Sequence, residues 1–282
     1  MAVPPQRGCV QASPPESNAT RTEVDPETIM KLLLLNPNTS EGMTASMTQT
    51  AQTVAAPGTT VVGRQPGFGP ASIESHFDEV FAAAGVAEQL RLSVQRGESF
   101  DAVVIACFGD PGLDAARELT GAPVLGIAEA AFHAASFVAT GFSVVTTLKR
   151  TCITAEHLVH RYGFERSCRG IHGTDIPVLA LEECGEDTVA LIEAAARTAL
   201  AQDRSGAIVL GCGGMAALCG TLQARLGVPV IDGVSAAVKL AEALVGLGLR
   251  TSKRGDYAPP LPKRWAGWAA GLAPAPGEPE GG

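Results

Sequence analysis

Two cysteines, Cys107 and Cys212, stand in closely similar settings. Each ends a short apolar run, VVIA before the first and AIVLG before the second. Glycine follows each within two residues, in Phe108-Gly109 and then in Gly213-Gly214. A cysteine at the carboxyl end of a buried strand, with a helix starting beyond it, sits where open α/β sheets bind ligands. The prolines that open the next apolar runs, Pro123 and Pro229, lie 16 and 17 residues past their cysteines. This reads as one unit used twice. Cys107 alone reads as a buried structural cysteine, since free cysteine is among the most buried residue types. The paired placement reverses that reading.

If the halves face each other about a pseudo-two-fold axis, the thiols enter one cleft from opposite sides. Racemisation at carbon needs that geometry: a base removes the proton from one face and a conjugate acid returns one to the other. Two like groups can exchange these roles for the reverse substrate. A thiolate is a workable base near neutrality where helix N-termini and backbone N–H groups stabilise it. The glycines after each cysteine leave N–H groups free to meet the enolate-like oxygen that forms. No cofactor or metal is required if the substrate carbon is already acidified by flanking carbonyls.

The elements that must hold these thiols follow from periodicity. Apolar runs at 31–35, 59–63, 103–106, 123–127, 142–147 and ahead of Cys212 alternate with helical patterns, which argues for mostly parallel sheets covered on both faces. The expected fold is α/β, with two pseudo-symmetric lobes, each a mostly parallel sheet flanked by helices. Thr39 or Ser40 can cap a first helix running to about Ala56. Asp110 with Pro111 reads as N-cap and first position of the helix after Cys107. Other helices are expected near 76–96, 129–139 and 149–162, with one long helix through ALEECGEDTVALIEAAARTALAQ. The loop RQPGFGPASIES is too long to be a mere connector.

The chain has 282 residues, a net charge of −8 and no long basic stretch, so nucleic acid is an unexpected partner. No apolar run approaches the roughly 20 residues of a membrane span. Residues 1–30, rich in Pro, Ser and Thr, read as a disordered extension without a signal-peptide core, and Met30 as a candidate true start. Residues 273–282 read as a loose tail, 31–128 with 233–272 as lobe one, and 129–232 as lobe two. Seven scattered cysteines without a CxxC favour free thiols and a cytoplasmic setting. Cys152, Cys168, Cys184 and Cys219 read as packing. His157 and His160 share a helix face but lack an obvious third metal ligand. Lys149 and Arg150 read as a solvated helix start, and Glu74 and Glu129 as acids able to tune the site.

The segments IACFGDPGLDAAR and GCGGM, with LNPNTS, GPASIES and GLRTSKRGDYAPPLPK, resemble the hydantoin/allantoin racemase family of the aspartate/glutamate racemase superfamily over about residues 31–265. The resemblance implies cofactor-independent racemisation of 5-substituted hydantoins or allantoin, a small cyclic ureide as substrate, and a homo-oligomer. It makes Cys107 and Cys212 the acid/base pair. It makes Asn38, Ser75 and Thr147 candidates for ring or ureido polar groups, with Asn36 or Thr146 as neighbours able to replace them. The backbone N–H groups of Gly109, Gly213 and Gly214 become candidates for the carbonyl oxygens. Phe68, Phe108 and Ile73 are candidate apolar lining. Alternatives are a racemase of a free amino acid such as aspartate, a superfamily isomerase or decarboxylase, and a catalytically silent ureide-binding module. An open-chain carboxylate would need a cationic or hydroxyl clamp, and a decarboxylase would be expected to lack one cysteine.

Overall fold

The computed structural model describes residues 30–274. Cys9 and nearly all of the leader and tail lie outside the described residues. The first half of the chain runs β1 (Met30–Leu35), α1 (Glu41–Val54), β2 (Thr59–Arg64), α2 (His76–Gln95), β3 (Ala102–Ile105), α3 (Leu113–Leu119), β4 (Val124–Gly126) and α4 (Ile127–Val138). The second repeats the order: β5 (Phe142–Thr146), α5 (Cys152–Tyr162), β6 (Cys168–Gly173), α6 (Glu186–Asp203), β7 (Ala207–Leu210), α7 (Cys219–Leu226), β8 (Val230–Asp232) and α8 (Gly233–Gly246).

Two four-stranded sheets result, ordered β2-β1-β3-β4 and β6-β5-β7-β8, and every pairing in them is parallel. The central strands read as unbroken apolar runs because both faces are covered. Leu32 to Leu35 of β1 are all at 1% exposure or less, as are Ala207 to Leu210 of β7. In each sheet the chain builds outward to one side and then reverses. The reversal falls between β1 and β3, and again between β5 and β7. Loops diverge at such a point and leave a crevice at the carboxyl ends of the strands.

Helices α4 and α8 follow β4 and β8 directly and pack on each other. Helix α8 lies over β3, β4 and α1, whereas α4 lies over β7 and β8. Each helix therefore covers the sheet of the opposite half. Their starts pass so close that a Cβ on Gly233 would stand 2.3 Å from the Ile127 carbonyl oxygen, and glycine is required there. Phe132 of α4 stacks on Phe142 of β5 and meets Phe108 edge-on, which ties the turn after Cys107 to the second half.

Some local expectations need correction. Asp110 does not cap the helix after Cys107: it lies at φ 44, and α3 begins only at Leu113 behind Gly112. Its carboxylate instead accepts from the Ala128 and Glu129 N–H groups at the start of α4, both at 3.0 Å, and from the Tyr162 hydroxyl at 2.8 Å. The N-terminus of α4, one helix and one strand further along the chain, offers the same orphan donors as the local one, and here it wins. The long helix expected from Ala180 is split: a 3₁₀ turn at Val178–Glu183 precedes α6. A second 3₁₀ turn, Gly213–Leu218, stands between Cys212 and α7. Strand β6 escaped the sequence reading because CRGIHG carries no apolar run, and as an edge strand it is only partly buried.

Candidate active site

Cys107 and Cys212 lie two residues past β3 and β7, the strands that flank the two reversals. Both line one narrow cavity of about 60 Å³ between the sheets. Each is partly exposed, because each presents surface to that cavity. Six described cysteines are free thiols, these two among them. The turn after Cys212 abuts the other half: a Cβ on Gly213 would lie 2.6 Å from Met47 Sδ and 3.0 Å from the Ala106 carbonyl oxygen.

The cavity floor comes from the loops that leave β1 and β5. Asn38 is buried, and its Oδ1 accepts from Asn36 Nδ2 at 2.7 Å and from the Ser40 N–H at 2.9 Å. Its own Nδ2 meets only the weak acceptor Met43 Sδ at 3.5 Å, which leaves an amide hydrogen available to a ligand in the cavity that Asn38 lines. Asn36 does not line the cavity. It orients Asn38 and is anchored by Thr44 Oγ1 at 2.9 Å. Thr146 and Thr147 both line it, although the Thr146 hydroxyl is engaged by the Gly211 carbonyl at 2.7 Å.

The long loop after β2 supplies Ile73 and Ser75 to the rim. Ser75 is the N-cap of α2, and its hydroxyl accepts from the Asp78 N–H at 3.3 Å. Gly109, Gly213 and Phe108 line the cavity, whereas Phe68 and Gly214 do not. A Cβ on Gly214 would face Leu181 and Met43 instead. The Gly214 N–H is turned to the Cys212 sulfur, as the Gly109 N–H is to the Cys107 sulfur. The two halves thus use the same device, an N–H two residues on, to face each thiol.

Burial pushes the Cys212 thiol up to about 11, opposed by the N–H groups of Gly214 and Met215. Burial pushes Cys107 higher still, opposed by the Gly109 N–H and reinforced by the negative charge of Cys212, Asp110 and Glu79. Mutual repulsion disfavours two thiolates together, so the pair loses its protons in separate steps, Cys212 first. Burial also pushes Asp110 up to about 6, against the N–H groups of Ala128 and Glu129.

Sequence reasoning named Glu74 and Ser40 but missed the contacts that close the cleft and the part played by Glu79 and Glu182. The Val178 N–H donates to Glu74 Oε1 at 3.0 Å, Ser40 Oγ to Glu182 Oε1 at 2.5 Å, and Thr154 Oγ1 to Glu79 Oε1 at 3.1 Å. Each bond joins the first half to the second. Glu79 lines the cavity, as do Thr151 and Thr154. The available signal for Glu79 was its place one turn beyond Ser75 on a helix opening from the glycine-rich loop. Lys149 pairs with Asp175 at 2.5 Å, and Arg150 does not line the cavity. His157 stacks on His76 and His160 meets Glu165, and no metal-binding cluster of three or more His, Cys, Asp or Glu residues is found among the described residues.

Comparison with known proteins gives this geometry a family. Residues 32–241 match the model of the Asp/Glu/Hydantoin racemase family. The chain belongs to that family. A hydantoin racemase of Rhizobium meliloti is 47% identical over 238 residues, covering 84% of this chain and 98% of that protein. The allantoin racemase structure from Klebsiella pneumoniae is 54% identical with a TM-score of 0.84, covering 87% of this chain and all of that one. An allantoin racemase structure from Pseudomonas fluorescens is 40% identical with a TM-score of 0.77, covering 84% of this chain and all of that one. The expected α/β architecture and the racemase class are both met by these relatives. Among the described residues of this racemase no helix is long and apolar enough to cross a membrane.

Proposed function

We propose that the protein racemises 5-substituted hydantoins or allantoin through Cys107 and Cys212. One observation carries this reading: two thiols at equivalent places in the two halves line one cavity. The thiolate removes the C5 proton, and the electron pair of the broken C–H bond moves onto the adjacent ring carbonyl as an enolate. The thiol on the other side then protonates C5 from the opposite face, leaving the pair with its roles exchanged. Asn38 Nδ2, the Thr147 and Ser75 hydroxyls and the Gly213 N–H hold the ring's polar groups and the developing oxyanion. The N–H groups of Gly109 and Gly214 act on the sulfurs, favouring the thiolate.

Among the described residues no Lys, Arg or His lines the cavity, and Glu79 does. That charge pattern favours a neutral ring over a free amino acid with its α-carboxylate. The packing of α8 over β3 and β4 supports a lobe made of residues 31–128 with 233–272 returning to it, against a second lobe of 129–232.

Polarimetry with single enantiomers of allantoin and of a 5-alkyl hydantoin, without added metal or cofactor, tests the reading. Rotation decays to zero with at least one of them. A folded protein with reduced thiols that leaves every rotation unchanged overturns it and favours a ureide-binding module.

The pH profile is a second test. For the enantiomer whose C5 proton faces Cys212, the more easily ionised thiol, Cys212 must be ionised while Cys107 keeps its proton. kcat/KM therefore climbs by close to tenfold per pH unit from about pH 7 to 9, read from the loss of circular dichroism of one enantiomer. A flat profile over that range contradicts the two-thiol assignment. Stability moves the other way. Folded values raised above the ordinary thiol range, near 8.5, give a stabilisation that is whole below that range and is lost as pH rises toward the folded values.

A further inference from the structure

We infer that Glu79 selects the substituent on the substrate's stereocentre: its carboxylate receives the N–H groups of a carbamoylamino arm and disfavours arms that are alkyl or negatively charged. This rests on the reading that a cyclic ureide lies with its stereocentre between the two sulfurs.

The argument is one of depth and polarity. Asn38, Thr146 and Thr147 form the buried floor of the cavity, where the ring's carbonyl and N–H groups find partners. Glu79 belongs to the rim. Its side chain keeps 28% exposure, and one oxygen meets His76, itself 64% exposed, at 3.3 Å. What reaches the rim from a ring held between the sulfurs is the group attached to the stereocentre. Glu79 Oε1 lies 3.4 Å, and Cys107 Sγ 3.9 Å, from the single point a Cβ on Gly109 would occupy. The carboxylate and one of the two sulfurs thus border the same point, in the path of an arm that leaves C5 for the rim.

A carbamoylamino arm carries an N–H and a terminal NH₂ that point the same way, a pair of donors matched to the two oxygens of a carboxylate. Thr154 occupies one site on Oε1 and His76 one on Oε2, and each carboxylate oxygen has a second lone pair free. Thr151, Thr154 and Ser75 extend the polar rim. An alkyl arm laid against the carboxylate strips its water without replacing the hydrogen bonds. An arm ending in its own carboxylate meets a like charge, with no Lys or Arg among the described lining residues to offset it.

The test compares kcat/KM of wild type, E79Q and E79L for allantoin, 5-isobutylhydantoin and hydantoin-5-acetic acid. Glu79 also bears electrostatically on Cys107, but loss of that charge changes all three rates together and cancels in their ratios. The expected result is a fall of about tenfold or more in the allantoin-to-isobutyl ratio in E79L, the size of a lost charged hydrogen bond. E79Q, isosteric and able to fold as wild type, shifts the ratio of hydantoin-5-acetic acid to isobutylhydantoin upward. Ratios that stay constant while all rates fall together overturn the inference and leave Glu79 a role in the ring or the fold. A folded wild type that racemises none of the three overturns the cyclic-ureide reading and this inference with it. Activity on at least one, with ratios unmoved by either variant, overturns the inference alone.

Discussion

Alanine in place of either Cys107 or Cys212 lowers racemisation by at least about 10²–10⁴-fold, the range for loss of a general acid or base, while the proteins stay folded. The two variants then part company. Each keeps one sulfur and so one half of the proton transfer: it can remove the C5 proton of the enantiomer facing it and return deuterium to the same face. Proton NMR in D₂O at pH 8 reads this directly as loss of the C5 signal from one enantiomer without its conversion to the other. The Cys107→Ala protein is expected to exchange faster, because the sulfur it keeps, Cys212, is the more easily ionised. Full activity in either variant, or equal exchange of both enantiomers in both, sinks the two-base mechanism.

The second large effect is on stability. Asp110→Ala removes the acceptor for two N–H groups at the start of α4 and for the Tyr162 hydroxyl. Each buried group left without a partner costs roughly 1–3 kcal/mol. The wild-type carboxylate carries its own cost, because burial pushes it up to about 6. The expected net loss is about 2–4 kcal/mol, or roughly 5–15 °C in Tm for a chain of this size. Asp110→Asn keeps an acceptor without the charge and loses less. Because the folded value lies above the ordinary carboxylate value, this group's stabilisation is whole below about pH 4 and is lost as pH rises through about 6. Wild type thus gains stability relative to Asp110→Asn between pH 7 and pH 5. Melting curves of the three proteins at both pH values check this. An Asp110→Ala protein within a degree of wild type contradicts it.

Asp110 also marks the limit of reading this chain without its structure. The strand-and-cysteine units were legible because burial on both faces writes itself as runs such as LLLL and AIVL. The placement of Cys107 and Cys212 was legible because the unit recurs, whereas Asn38, Ser75 and Thr147, which also line the cavity, were named only through the family resemblance. What was hidden depends on partners distant in sequence. Asp110 reaches forward to α4, which no local capping rule detects. Glu79 and Glu182 carry no local signal, and the sequence singles out Glu74 without its partner: Val178, Thr154 and Ser40 meet these acids only when the two halves come together. Strand β6 was hidden for another reason, since CRGIHG pairs through its backbone and carries little side-chain signal.

The covering of each sheet by the other half's helix bears on how the chain can be divided. A cut in the turn between α4 and β5 gives two pieces of nearly matching topology, neither with its own roof. The first piece lacks α8 over β3 and β4, and the second lacks α4 over β7 and β8. Expressed separately, each is expected to be insoluble or unfolded, even though its strand order is whole. Expressed together, they are expected to reassemble, with activity returning only in the mixture. Such complementation would make the meeting of the two thiols a property of the exchanged helices as much as of the strands that carry them.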